Sequence, residues 1–327
     1  MIKVEQQRII RMILLINLWL QEILFLHLGF GIGGSIKPDL VAYGGNLSID
    51  HRSRSLNKNG LGVISLHSKF LEGNLFTEDI GTSYSAPYIT HLAGRVSSYS
   101  KDFSSTLIKA LLVASAETNS VKIDESIQKE DSFKLRGYGK VDEEFLFRSS
   151  EEVVILYATD FIQNDKNHFY EIPIPEDFFL GNKRKREVTV TLSYHSSARN
   201  TRVNYRASRI SFRLLRKNSM EEVVKMFNKA TSKEDYENIP EYNQNRTISS
   251  KLRDKGTVQS STWELKQPRN SNYYLVVTRN DFSWGEKISK TEEEYSLAIV
   301  IKDKEAKEAK LYSQIKEKIV IREKIKL

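Results

Sequence analysis

Hydrophobic positions follow a helical period in the first half of this chain. The spacing i, i+3, i+4 and i+7 occurs at Ile89, Leu92, Ala93 and Val96, and again at Leu107, Ala110, Leu111 and Ala114. This spacing places apolar side chains on one face of a helix. It predicts one helix over 81–100, with Pro87 in its first turn, and a second helix capped by Ser104 or Ser105.

The period changes to two after about residue 150, which is typical of strands. Six apolar segments are predicted to be strands: 153–158, 188–194, 210–215, 261–265, 273–278 and 295–301. The alternation of Ile319, Ile321, Ile325 and Leu327 favours a last strand in the tail. Along 209–214, Ile210, Phe212 and Leu214 are expected to face inward, and Arg209, Ser211 and Arg213 outward. Turn-rich gaps separate these segments, so the pattern favours an antiparallel, sandwich-like, β-rich domain.

These patterns divide the chain into three parts: 1–28, an α/β part over 29–150, and the β-rich part over 151–327. In the first part, an apolar run at 12–20 follows three basic residues, as in a signal peptide. Gln21 and Glu22 interrupt the run, which is far shorter than the roughly 20 residues of a spanning helix. We therefore expect a cytoplasmic protein without a membrane partner, and export or membrane association through residues 12–28 remains the alternative.

Composition narrows the chemistry that the chain can perform. It has no cysteine, which excludes disulfides, a thiolate nucleophile and cysteine-ligated zinc. Its six histidines are well separated along the chain, so no local histidine pair indicates a metal site. The formal net charge of +8 is a mild excess for 327 residues and indicates no partner by itself.

The most informative string is Gly81-Thr82-Ser83-Tyr84-Ser85-Ala86-Pro87. A turn of small residues here presents Ser83 at the amino terminus of the predicted helix. Free N–H groups and the helix dipole favour negative charge at that end. A tetrahedral oxyanion could therefore be stabilised there, with the Ser83 N–H as one donor. Ser83 is the candidate catalytic residue.

This string resembles the nucleophile motif G-T-S-x-[SA]-x-P of the subtilases, the subtilisin-like serine proteases. Two flanking strings also resemble family motifs: 37–42, KPDLVA, and 137–142, GYGKVD. The resemblance implies that 29–150 is the carboxy-terminal half of a subtilase catalytic domain, an incomplete parallel sheet with helices. The β-rich region is similar to the extension of a bacterial subgroup that is often encoded beside an AAA-type ATPase, which makes such an ATPase a possible partner.

The family's other catalytic strings are missing from the sequence. A catalytic serine needs a histidine base oriented by a carboxylate, which this family carries in H-G-T-H and D-[ST]-G strings before the serine. Neither string is present, and no histidine is followed by glycine. His91 lies eight residues after Ser83, about 12 Å along a helix axis, which is too far for it to act as the base. Distance does not exclude His51 or His67 as the base, but neither lies in a string that resembles a family motif.

The resemblance therefore implies a serine endopeptidase acting on protein or peptide substrates through Ser83, with this chain inactive on its own. Residues 1–28 would then be an out-of-context start, or a separate polypeptide would supply the amino-terminal half. No cofactor is identified, although structural calcium is common in the family.

The alternative function is nucleic-acid or partner binding by the basic part of the β-rich region. No acidic residue lies between Glu187 and Glu221. Seven cations fall in that stretch: Arg199, Arg202, Arg206, Arg209, Arg213, Arg216 and Lys217. KRKR at 183–186 precedes them, and Tyr194, Tyr205 and Phe212 could stack on bases. We favour a solvated sheet face with Phe212 in the core, and expect no nucleic-acid partner.

Overall fold

The computed structural model describes residues 30–50, 55–57, 60–118, 127–179, 185–199, 201, 202, 204–230, 233–243, 245–265, 272–303, 310, 312 and 313. These residues belong to two compact units. The first unit contains 30, 31, 37–99 and 116–142, and the second contains 32–36, 100–115 and the chain from 143 onward.

The described helices and strands are numbered here in chain order. The helices are α1 (Thr82–Tyr99), α2 (Ser105–Ala114), α3 (Lys129–Arg136), α4 (Glu143–Phe147), α5 (Met220–Lys229), α6 (Lys233–Asn238) and α7 (Ser250–Arg253). The strands of the first unit are β1 (Ser48–Asp50), β2 (Ser55–Asn57), β3 (Val63–Leu66), β4 (Phe76–Asp79), β5 (Ala116–Glu117) and β6 (Lys140–Val141). Those of the second are β7 (Val153–Gln163), β8 (Asn167–Ile172), β9 (Glu187–Tyr194), β10 (Ile210–Lys217), β11 (Val258–Glu264), β12 (Asn272–Arg279) and β13 (Glu292–Lys302).

The first unit combines α1 and α3 with three short antiparallel pairs, β1–β2, β3–β4 and β5–β6. Helix α1 buries Leu92 and Val96, two members of the predicted apolar face. In place of the expected incomplete parallel sheet, the described residues of this unit contain one parallel bridge, between Val41 and Lys140.

The second unit contains two antiparallel sheets, in the strand orders β11-β9-β13-β7 and β10-β12-β8. One apolar cluster includes side chains from both sheets, among them Leu192 and Trp263 from the first and Phe212 and Leu275 from the second. All six of the strands predicted between 153 and 301 are present, and the last strand predicted in the tail, at 319–327, lies outside the described residues. Strand β8 was not predicted. His168 and Tyr170 stand at alternate positions along it, so the strand has no simple alternation of apolar and polar residues.

Both faces of β10 are covered, which corrects one expectation. Ile210, Phe212 and Leu214 face the main apolar cluster, as predicted, but Arg213 is buried rather than exposed. A second apolar cluster, with Val223 and Phe227 of α5, covers another part of the three-stranded sheet. Burial of Arg213 is tolerated because its guanidinium forms an ion pair with Asp254 at 2.7 Å.

Helix α2 lies in the second unit and packs chiefly on β13 and β9. Its N-cap is Ser104, whose hydroxyl accepts a hydrogen bond from the Leu107 N–H at 3.3 Å. The buried side chains of α2 include Leu107, Ala110 and Leu111, which confirms the predicted apolar face. The protein is therefore of mixed α/β type, with antiparallel sheets.

None of the helices in the described part of the chain is long and apolar enough to cross a membrane.

Candidate functional site

Ser83 lies at the second position of α1, directly after the β3–β4 hairpin. The chain enters the helix through Gly81, whose φ of +152° is a backbone conformation that other residues rarely adopt. The Gly81 N–H donates a hydrogen bond to the Gly44 carbonyl at 2.8 Å. A Cβ at Gly44 would lie only 2.7 Å from the Gly81 carbonyl oxygen. These two glycines therefore set the close approach of the segment that presents Ser83.

The side chain of Ser83 is exposed. Its backbone N–H lies in the first helical turn, where N–H groups have no partner within the helix. The neighbouring Ser85 hydroxyl instead donates to the Thr82 carbonyl at 3.1 Å. Ser83 thus combines an exposed hydroxyl with the positive end of an 18-residue helix.

The structure corrects the predicted position of Pro87. The helix begins at Thr82, so Pro87 is its sixth residue and lies in the second turn rather than the first. A proline there has no N–H to donate to the carbonyl four residues earlier, which is that of Ser83.

The two flanking motifs meet although about 100 residues separate them. The Val41 N–H donates to the Gly139 carbonyl at 3.0 Å, and the Tyr138 N–H donates to the Asp39 carbonyl at 2.9 Å. At Gly137, φ is +55° and a Cβ would lie 2.1 Å from the Pro38 carbonyl oxygen. The first unit therefore contains all three motif segments, 37–42, 81–87 and 137–142.

Within the described residues, the structure places no histidine in hydrogen-bond contact with Ser83. His91 is exposed on the same helix, about 12 Å further along its axis at 1.5 Å per residue. His67 is partly exposed near the turn of the β3–β4 hairpin, where its Nδ1 accepts the Lys69 N–H at 2.9 Å. His51 and residues 12–28 lie outside the described residues.

The basic region of the second unit is largely engaged in internal contacts. Tyr194 and Phe212 are buried, so they offer no ring for stacking on a base. Arg206 and Arg213 are also buried, and they donate hydrogen bonds to Tyr194 and Asp254 respectively. Lys217 forms an ion pair with Glu222 at 2.9 Å. Of the preceding KRKR string, residues 183 and 184 lie outside the described residues, and Arg186 is buried.

Two polar groupings of the second unit were missed from the sequence. The Ser105 hydroxyl and His195 Nε2 are 2.9 Å apart on an exposed surface. His168 Nδ1 lies 2.7 Å from the Tyr295 hydroxyl. Both contacts join residues about 90 or more positions apart, so no local spacing could have revealed them. No group of three or more histidine and carboxylate side chains suited to a metal ion occurs among the described residues.

Two comparisons with known proteins bear on this site. Residues 27–142 match the model of the subtilase family, a range that includes all three motif segments. A protein of Sinorhizobium fredii (strain NBRC 101917 / NGR234), named "Uncharacterized protein y4bN", is 32% identical to this chain over 309 residues. That match covers 90% of this chain and 69% of the relative.

Proposed function

The chain belongs to the subtilase family, and we propose that it supplies the nucleophile, Ser83, of a serine endopeptidase. One observation carries the proposal: an exposed Ser83 in the first turn of α1, presented by the Gly81–Gly44 contact. We further propose that 29–150 corresponds to the carboxy-terminal half of the catalytic domain, because its three motifs occur in the family's order.

In the proposed reaction, the Ser83 hydroxyl oxygen attacks the carbonyl carbon of a peptide bond. Its proton passes to a base and from there to the departing amine, which leaves an acyl-enzyme. Water then attacks the ester, and Ser83 regains its proton. The negative charge of each tetrahedral intermediate would lie near the Ser83 N–H and the positive end of α1.

In this proposal, a polypeptide segment that is not part of this chain supplies the base and its orienting carboxylate. The sequence has neither an H-G-T-H nor a D-[ST]-G string, and in the described part of the chain neither His67 nor His91 is hydrogen bonded to Ser83. Loss of triad members in such proteases lowers the rate by about 10⁴–10⁶. The chain alone is therefore expected to be close to inactive towards peptides.

The test begins with the DNA upstream of this reading frame, translated in all three frames. A segment with D-[ST]-G and H-G-T-H strings would be co-expressed with this chain and treated with a fluorophosphonate, which labels activated serines. We expect labelling of Ser83 only when both polypeptides are present. Ser83→Ala should abolish the label, and Ser97→Ala, a change of an exposed serine on the same helix, should keep it.

Labelling that survives in Ser83→Ala would contradict the proposal. So would a stable complex of the two polypeptides that fails to label, because the complete set of motifs would then be present without an activated serine. An upstream region that encodes neither string would remove the source of the base and leave the family relationship as ancestry alone.

Nucleic-acid binding has less support as a function of this chain. The burial of Tyr194 and Phe212 removes two of the three aromatic residues on which that alternative depended. The third, Tyr205, is partly exposed and lies in a groove of the second unit.

A further inference from the structure

A basic groove lies on the second unit, and none of its lining residues takes part in the proposed peptidase reaction. Its volume is about 650 Å³, within the range of roughly 300–1,000 Å³ that is typical of small-molecule sites. Its cationic lining consists of Arg206, Arg209, Arg213, Lys251 and Lys255.

The cations outnumber the acids in this groove. Among the described lining residues, Asp254 is the one carboxylate, so five cations against one carboxylate leave an excess of four positive charges. Asp254 is itself occupied, because its oxygens accept from Arg213 at 2.7 Å and from Arg253 at 3.2 Å. The groove is therefore strongly attractive to an anion.

Two of the arginines, Arg206 and Arg213, are buried and hydrogen bonded within the fold. Arg206 donates to the Tyr194 hydroxyl at 2.6 Å and to the carbonyls of Gly256 and Asp254 at 2.9 and 3.0 Å. A guanidinium has five N–H donors, so these three bonds to described residues leave two. Pre-positioned donors of this kind lose little entropy when they bind a ligand.

The two lysines supply charge at the mouth of the groove. Lys251 and Lys255 are exposed, and neither forms an ion pair with a carboxylate in the part of the chain that the structure describes. A Cβ at Gly34 would lie 3.2 Å from the Lys255 ammonium nitrogen, and one at Gly33 would lie 3.5 Å from the Tyr205 ring. The lysine ammonium group and the aromatic ring thus each pack closely against one of two successive glycines.

We propose that this groove binds a nucleoside polyphosphate, with the phosphates on the cationic cluster and the base against Tyr205. Arginine and lysine side chains both bind phosphate oxygens through charge-assisted hydrogen bonds. The concentration of charge favours a small polyphosphate over a single nucleic-acid strand, which spreads its phosphates and stacks on successive rings. The proposal does not depend on Ser83 or on peptidase activity.

Binding would be measured by calorimetry on the full chain, with four ligands: adenosine triphosphate, inorganic tripolyphosphate, oligothymidylate and hexaglutamate. We expect saturable binding of adenosine triphosphate, several-fold weaker binding of tripolyphosphate, and at least tenfold weaker binding of the other two. Absence of saturable triphosphate binding would overturn the proposal. Equal affinity for tripolyphosphate would exclude the stacked base, and tighter binding of oligothymidylate or hexaglutamate would assign the groove to that ligand instead.

Substitutions of residues that line the groove test whether the triphosphate binds there. Lys251→Gln and Lys255→Gln should each weaken triphosphate binding by about tenfold, through loss of one charge-assisted contact. Tyr205→Ala should weaken binding of adenosine triphosphate but not of tripolyphosphate. The matched control is Lys225→Gln, which removes an exposed lysine on α5 that does not line the groove. Unchanged binding in both groove-lysine variants would overturn the assignment.

Ser83→Ala separates this proposal from the peptidase proposal. It should bind adenosine triphosphate with unchanged affinity, because Ser83 does not line the groove. Circular dichroism would establish that each variant is folded. The buried arginines are left intact because their hydrogen bonds hold the fold together.

Discussion

Tyrosine hydroxyls in the second unit lie in a hydrogen-bonded cluster whose burial suppresses ionisation. The Tyr170 and Tyr295 hydroxyls are hydrogen bonded to each other, and His168 Nδ1 contacts that of Tyr295 at 2.7 Å. Burial raises the pKa of Tyr170 to about 12, and the nearby charge of Asp160 acts in the same direction. Burial likewise raises the pKa of Tyr295 above its ordinary value.

This shift predicts loss of stability at alkaline pH. Tyr170 ionises near pH 10 in the unfolded chain but near pH 12 in the folded one, so its contribution is fully present below pH 10 and is lost as the pH rises towards 12. Tyr170→Phe should remove a pH-dependent term on the order of 2 kcal/mol. Thermal unfolding between pH 9 and 11.5 should therefore show a smaller fall in Tm for this variant than for the original chain.

The control is Tyr157→Phe, which changes a tyrosine that is 55% exposed and is not a member of this hydrogen-bonded cluster. If Tyr170→Phe and the original chain lose Tm in parallel over this range, Tyr170 does not have the raised pKa.

At the scale of elements, the structure shows which of two neighbouring serines is the N-cap of α2. Both Ser104 and Ser105 are suitable caps from the sequence. In the structure, the Ser104 hydroxyl accepts from the Leu107 N–H, whereas the Ser105 hydroxyl contacts His195. The cap matters because α2 covers part of the four-stranded sheet with its apolar face.

Ser104→Ala should therefore lower the free energy of unfolding by about 1 kcal/mol, the usual cost of removing an N-cap side chain. Ser105→Ala is the matched change one residue further on, and it should cost less because it removes only an exposed contact. Denaturant unfolding measures both values. Equal costs, or a larger cost for Ser105→Ala, would show that the assignment of the cap is wrong.

Unlike α2, whose apolar face packs on a sheet, the β3–β4 hairpin has large apolar side chains that are exposed. Ile64, Leu66, Leu71 and Phe76 are each more than 60% exposed in the structure. Alternation along such short strands indicates that one face is apolar but does not indicate what covers it. These residues lie directly before the segment that presents Ser83.

At the scale of the molecule, the two units do not follow the division of the sequence at 150. Residues 100–115, with α2, belong to the second unit, whereas 116–142 belong to the first. The second unit is therefore assembled from separated stretches of the chain. A boundary drawn where the hydrophobic period changes leaves α2 outside the β-rich region that it packs against.

This organisation predicts the behaviour of two fragments. A fragment of residues 100–327 keeps α2, and should unfold cooperatively with native near-ultraviolet circular dichroism. A fragment of residues 143–327 lacks α2, so it exposes the face of β13 that Ser296 shares with Ala298 and Val300. It should unfold at a lower denaturant concentration and bind more of the dye anilinonaphthalene sulfonate. Equal stability and equally weak dye binding of both fragments would show that α2 is dispensable for the second unit.

Short stretches of sequence were enough to predict those elements that depend on local patterns. The apolar faces of α1 and α2, the six strands predicted between 153 and 301 and the string around Ser83 are all legible within windows of 20 residues, because hydrophobic periodicity and capping act over one or two turns. The subtilase relationship also followed from short strings, and the family match over 27–142 agrees with it.

Tertiary structure alone decided which distant segments meet. The contacts of Val41 with Gly139, of Arg213 with Asp254 and of Tyr170 with Tyr295 each join residues at least 40 positions apart. Arg213 was expected to be exposed because alternation along a strand assigns each residue a face but not what packs on that face. The packing of distant segments decides whether a charged side chain is buried, what shape a groove has and which group a histidine contacts. A local sequence pattern carries no information about that packing.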